Sequence, residues 1–316
     1  MFATETMARH WKTLLKTAVS LGLILFLLSH IDLAALGRVL SHAHAGWVLV
    51  TVLLFALSIL LRALRWGILV HARNMKVGFW RLARWYFIGA FFNTILPTGF
   101  GGDVVKSVYL ANETDDAGGA VGTVVLDRFL GILVLLGIGA AAAPFSRAAI
   151  SRWIPMILLL TFLGGAAGFW LLRQRSLIRW MRDHLLRFLP RGLSRRLATM
   201  SSLRSLYDAL QNYDRPTLLR AIAMSLIFNA CWILINMTAG LAVGVHANLI
   251  DYLVFTPLVS LALLLPSIGG IGVRELSYVG LFIQIGATPE AAMAMSLTIY
   301  LATVLTGLLG GLLLLV

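Results

Sequence analysis

Six charged side chains stand in stretches otherwise apolar enough to lie within a bilayer: Asp103, Lys106, Asp127, Arg128, Arg274 and Glu275. An ionised group near the bilayer midplane costs at least about 2.5–3.5 kcal/mol, so such residues face a bundle interior or a wet cavity and take partners there. Three acids match three bases, which suggests one shared network. Lys106, Arg128 and Arg274 are the candidate ligands of an anionic lipid head group, because a guanidinium holds carboxylate or phosphate through a planar fork. Asp103, Asp127 and Glu275 would orient those bases, and one of them could carry a coupling proton if burial raised its pKa. A structural alternative stays open, in which the six only pair with each other and pin the segments that carry them. Asn93, Asn229 and Asn236 are further polar candidates for the same cavity, or equally for helix–helix contacts.

The elements that must position these charges are two interrupted apolar segments. LPTGFGGD at 96–103 and LPSIGGIG at 265–272 each follow an apolar helical run, break it with proline and glycine, and place charges just beyond. Pro97, Gly101 and Gly102 form the first break, and Pro266, Gly269, Gly270 and Gly272 the second. Glycines there allow backbone N–H groups to approach an anion. Pro-Gly interruptions at corresponding places in two halves are a sign of a transporter assembled from repeats, with its site where the broken helices meet. Two unrelated Pro-Gly turns are the alternative, since both residues are common in membrane helices.

With 59% hydrophobic and 12% charged residues in 316, the chain reads as an all-α, polytopic membrane protein. Apolar stretches at 13–30, 46–61, 118–143, 153–172, 217–243 and 291–315 give about six full spans. The connections between them are too short for a soluble catalytic domain. A net charge of +13 lies in clusters beside these runs, which points to lipid head groups and topology and away from nucleic acid. The basic start of the first span, without a small-residue cleavage site, reads as a retained anchor. The single cysteine, Cys231, is given no role, and the seven histidines show no metal-ligand spacing, so neither metal nor cofactor is expected. No GxxxxGK[ST] motif occurs, so no ATP site is expected.

Charge bias sets the expected topology. Arg9, Lys12 and Lys16, the basic run 62–84 and the arginine-rich segment 173–204 all belong on the cytoplasmic side of a cell (inner) membrane, as do both termini. The count closes only if 79–110 enters from the cytoplasm and returns, and 251–286 enters from outside and returns. These would be two oppositely oriented re-entrant hairpins, and so an inverted repeat within a single membrane domain spanning 1–316. Around 173–213, apolar residues at helical spacing with arginines between them predict an amphipathic helix on the cytoplasmic leaflet. It would serve either as an anchor or to recruit anionic lipid to a lateral entrance.

The segments 96–130 and 265–281 resemble the lysylphosphatidylglycerol synthase transmembrane, or flippase-like, family, through the GGDxxK tip, the pair Asp127 and Arg128, and PSxGGxGxRE ending at Glu275. The resemblance implies an integral membrane protein that handles lipids; one branch flips aminoacylated phosphatidylglycerol made by a fused synthase. Here the sequence ends at Val316, immediately after the last span, so no synthase domain is expected. Stand-alone members of the family accompany lipid, polyprenyl-linked glycan or hopanoid pathways, so lipid or glycolipid biosynthesis enzymes are possible partners and the lipid is left open.

Three functional classes follow. The leading one is a lipid transporter, not an enzyme, with a charged cavity between the two hairpins that takes an anionic or amphiphilic head group. A lipid-modifying membrane transferase would use Asp103, Asp127 or Glu275 as general base. However, each acid has a basic neighbour within a few positions that would pair with it rather than leave it poised as a base, and the short loops offer little surface for a second substrate. A non-catalytic partner of a lipid-processing enzyme is the third class.

Overall fold

The computed structural model describes residues 21–23, 25–27, 29, 31–96, 100–146, 153–174, 211, 213–265, 267 and 269–315. Ten α-helices are delimited among them: α1 (Leu33–Ser41), α2 (Ala45–His71), α3 (Phe79–Ile95), α4 (Gly101–Thr114), α5 (Ala117–Ala142), α6 (Trp153–Arg173), α7 (Arg215–Ala242), α8 (Leu249–Ala262), α9 (Val273–Phe282) and α10 (Pro289–Leu315). No strand occurs among the described residues. Five helices, α2, α5, α6, α7 and α10, are long and apolar enough to cross a membrane, and the protein is an all-helical, multi-pass membrane protein. Five of the six expected spans coincide with them, although α2 runs on to His71. Most of the first expected span, 13–30, lies outside the described residues, as do Pro97, Pro266 and 175–210 of the expected amphipathic segment.

The helix ends follow from their caps. Asp32 Oδ1 accepts the Ala34 N–H at 2.8 Å to start α1, Asp116 accepts from Gly119 at 2.7 Å to start α5, and Asp214 accepts from Thr217 at 3.1 Å to start α7. Each carboxylate satisfies backbone donors that the first turn leaves open. The Gly119 N–H, helped by the Arg73 guanidinium, holds the Asp116 carboxyl below the usual carboxylate range.

At the centre α2 and α7 run antiparallel. The Thr51 hydroxyl donates to Thr238 at 2.9 Å and the His44 N–H to the Ala242 carbonyl at 2.8 Å near one end, while Arg65 reaches Ser225 at 3.3 Å towards the other. Beside this seam α3 packs on α4 and on α2, and α8 on α9 and on α7. The packing has a consistent exchange pattern, in which α2, α3, α4 and α5 are to one another and to their counterparts as α7, α8, α9 and α10 are. Thus α3 packs on α10 as α8 packs on α5, α2 on α10 as α7 on α5, and α4 on α5 as α9 on α10.

Small residues permit the closest of these contacts. At Gly310 of α10 a Cβ would run into the Phe87 carbonyl oxygen of α3, and at Gly139 of α5 one would lie 2.7 Å from Pro257 of α8. Without water to drive helices together, such backbone approach is a main source of packing energy in a membrane.

Gly310→Ala is therefore expected to force α3 and α10 apart, at a cost of about 1–3 kcal/mol, and to lower the thermal midpoint of the detergent-solubilised protein by several degrees. Gly164→Ala on α6, where a Cβ meets nothing within 4 Å, should leave the midpoint unchanged. Thermal-shift size-exclusion chromatography of the two variants provides the measurement.

Candidate functional site

A cavity of about 320 Å³ opens between α2, α3, α4, α5, α7 and α8. Its polar wall holds Arg62, Arg65, Asn93, Asp103, Lys106, Asp127, Arg128 and Asn229, and its apolar wall includes Ile59, Leu135, Phe228, Trp232, Leu263 and Leu264. Ser260, Leu263 and Leu264 come from the end of α8, which leads into the second break, and Asn93, Asp103 and Lys106 from α3 and α4 on either side of the first, so helices next to both breaks contribute to one space.

Arg65 anchors the deepest part. It is 2% exposed, and its fork meets Asp127 in the bidentate geometry that best repays burial of both charges, with Nε to Oδ1 at 2.7 Å and Nη2 to Oδ2 at 3.1 Å. The Tyr86 hydroxyl donates to Asp127 Oδ2 and Arg65 Nη1 donates to Ser225. Gly131 leaves the room, because a Cβ there would stand 2.6 Å from the Arg65 guanidinium. Asp127 thus pairs across the bundle with a residue sixty-two positions away, not with its neighbour Arg128.

Arg128 turns instead to Asp103, which it shares with Lys106. Arg128 Nη1 donates to Asp103 Oδ2, and Lys106 Nζ lies 2.9 Å from Oδ1. The buried Lys106 ammonium also sits 3.8 Å above the Tyr86 ring, and the Arg128 guanidinium lies 4.3 Å from the Phe100 ring centre, contacts that supply part of the solvation lost to burial. Arg62 has no carboxylate partner among the described residues. Its guanidinium donates to the Ser58 carbonyl at 3.4 Å and hydroxyl at 3.3 Å and lies 5.2 Å from the Phe228 ring centre. Asn229 Nδ2 donates to the Gly131 carbonyl at 3.1 Å, which fixes the amide orientation and leaves Oδ1 as a buried acceptor without a protein partner.

Of the six expected charges, four line this cavity and two do not. Arg274 and Glu275 form a separate cluster in which Arg274 Nη2 meets Glu275 Oε1 at 2.6 Å, Arg274 Nε meets Ser296 at 3.2 Å and the guanidinium stacks on Tyr300 at 4.5 Å. Neither is among the described lining residues. The single network expected from three acids and three bases is thus divided into three sets. The physical reason is that each acid finds a closer base: Lys106 one turn away for Asp103, Arg65 across the bundle for Asp127, and the adjacent Arg274 for Glu275.

The tips also differ from the expected anion nest. Gly101 and Gly102 begin α4, where the Gly102 N–H donates to Asn93 Oδ1 at 2.7 Å. Gly269, Gly270 and Gly272 adopt φ of 59°, 81° and 84°, the left-handed region suited to glycine, and the Gly272 N–H donates to Glu275 Oε2 at 2.7 Å. The Gly102 and Gly272 donors are therefore already engaged. The two segments also differ at an equivalent place. Counting ten residues on from Leu96 and Leu265 reaches Lys106 in the first and Glu275 in the second.

Arg62 and Arg65 are the site residues that sequence reasoning missed. They were grouped with the basic run marking the cytoplasmic end of a span, whereas α2 continues past them. Their three-residue spacing on one face of a still-apolar helix was the available signal. A second hollow, of about 470 Å³, lies by Gly67, His71, Phe79 and Arg220; its His71 ring is bonded to the Gly67 carbonyl, and it holds no buried ion pair.

The chain is similar to the UPF0104 membrane protein PH1989 of Pyrococcus horikoshii, at 26% identity over 125 residues, covering 39% of this chain and 37% of that protein. The match thus spans well under half of the relative's length. No solved structure matches. The model of the lysylphosphatidylglycerol synthase transmembrane region matches residues 13–311, nearly the whole sequence, and the protein belongs to that family.

Proposed function

We propose that this protein is a lipid translocase, which admits an anionic head group to the cavity while the acyl or prenyl chains stay in the bilayer. The observation that carries the reading is the cavity itself: a polar pocket with an excess of cations, enclosed by membrane helices and edged by Leu263 and Leu264, which are 37% and 53% exposed. A charged head and a greasy tail fit those two walls. Asp103 and Asp127 each accept from two donors, which leaves neither as a free general base and counts against a transferase.

The packing supports an inverted repeat of two re-entrant hairpins. If α2 and α7 are equivalent, their antiparallel arrangement makes the halves opposite in orientation. Near its end α3 meets α10 at Gly307, about two turns, or ~12 Å, short of the α10 C-terminus. Likewise α8 passes Gly139 of α5 at Pro257 and ends little more than a turn further on. Against a hydrocarbon core of about 30 Å, both turns fall inside it. The charge bias supports an orientation with both termini and the bases of the first hairpin on the cytoplasmic face of the inner membrane, and the bases of the second outside.

Two outcomes test these readings. In proteoliposomes, a head-group-labelled anionic phospholipid should cross between leaflets faster than in protein-free vesicles, and Lys106→Ala should slow it at least tenfold. Flux equal to the protein-free control, or a new lipid product that requires an added donor, would overturn the transport assignment. In a Cys231→Ser background, single cysteines at Lys76 and Asn112 should react with an impermeant maleimide from the cytoplasmic face, and cysteines at His246 and Gln284 from the opposite face. Labelling of Lys76 and Asn112 from different faces would mean that the first hairpin crosses the membrane.

A further inference from the structure

The cavity's charges are not balanced. Its described lining contains four cations, Arg62, Arg65, Lys106 and Arg128, against two carboxylates, Asp103 and Asp127. Among the described residues Arg65 is matched by Asp127, Asp103 is shared by Lys106 and Arg128, and Arg62 makes its polar contacts with Ser58. By contrast, the buried Arg274 and Glu275 neutralise each other. In a partly enclosed site among membrane helices an excess of one sign of charge favours a ligand of the opposite sign.

Resting on the translocase reading, we infer that the head group the cavity takes carries two negative charges on phosphate, as a phosphomonoester or diphosphate does, and that Arg62 selects it over a singly charged phosphodiester. Arg62 and Arg65 stand one turn apart on α2, both within 5.3 Å of the Phe228 ring centre. Lys106 and Arg128 face them across the cavity from α4 and α5. A monoester phosphate presents three terminal oxygens to donors arriving from two sides, whereas a diester presents two. The leucine-edged wall makes the ligand a lipid phosphate and not the free ion.

Native mass spectrometry of the detergent-solubilised protein with lipids of identical dioleoyl chains tests this. Phosphatidate and diacylglycerol diphosphate should bind at least tenfold more tightly than phosphatidylglycerol at pH 8, a preference of about 1.4 kcal/mol. For phosphatidate the preference should fade as pH drops through the second phosphate ionisation, near pH ~6. Arg62→Gln should bring the lipids to within about threefold of one another, while Arg62→Lys retains the preference. Equal binding of monoester and diester by the wild type, or equal weakening of both in Arg62→Gln, would overturn the charge assignment and leave the translocase reading standing. Binding of none of the anionic lipids would remove the head-group site itself. Competition by inorganic phosphate at the same affinity as phosphatidate would assign the site to the free ion.

Discussion

The buried pair of Arg65 and Asp127 is the interaction on which the rest of the molecule turns. Each partner alone would be an ionised group stranded among membrane helices, and breaking such a pair leaves the other charge uncompensated. Held together, they draw four helices to one point: Arg65 from α2, Asp127 from α5, Tyr86 from α3 and Ser225 from α7. Gly131 is the necessary accompaniment, since any side chain there would occupy the guanidinium's position. The cavity forms beside this junction because the same residues that seal it also wall the space.

Backbone chemistry sets the second constraint. A turn within a membrane exposes N–H and carbonyl groups that lipid cannot satisfy. At each of the two breaks a nearby side chain accepts one such donor, Asn93 for the Gly102 N–H and Glu275 for the Gly272 N–H. In the second hairpin the acid expected to tune a ligand-binding arginine is engaged in holding the turn, and Arg274 is its counter-charge.

The architecture was legible in the sequence wherever it depended on a one-dimensional signal. Hydropathy located α5, α6, α7 and α10 to within a few residues, because a helix in hydrocarbon must be apolar along its length. Proline and glycine located both breaks because few other residues interrupt such a helix. Partner choice was not legible. Asp127 and Arg128 are adjacent and of opposite sign, yet adjacent helix positions point apart, and each finds its partner on another helix. Arg62 and Arg65 were obscured by a rule that is correct in general: cations near a span's end mark the cytoplasmic side. Here the helix continues for another turn and more, which carries both inward.

The substitution of Glu275 for Lys106 at matching places in the two interrupted segments has a consequence for the design of the molecule. Two halves that share a backbone plan but carry opposite signs at one position cannot present the same face to a ligand. Under the proposed translocase reading, one half serves as a receptor for charge and the other as a self-contained brace. Such a division of labour lets mutation retune the receptor half for a different cargo while the brace keeps the scaffold's shape.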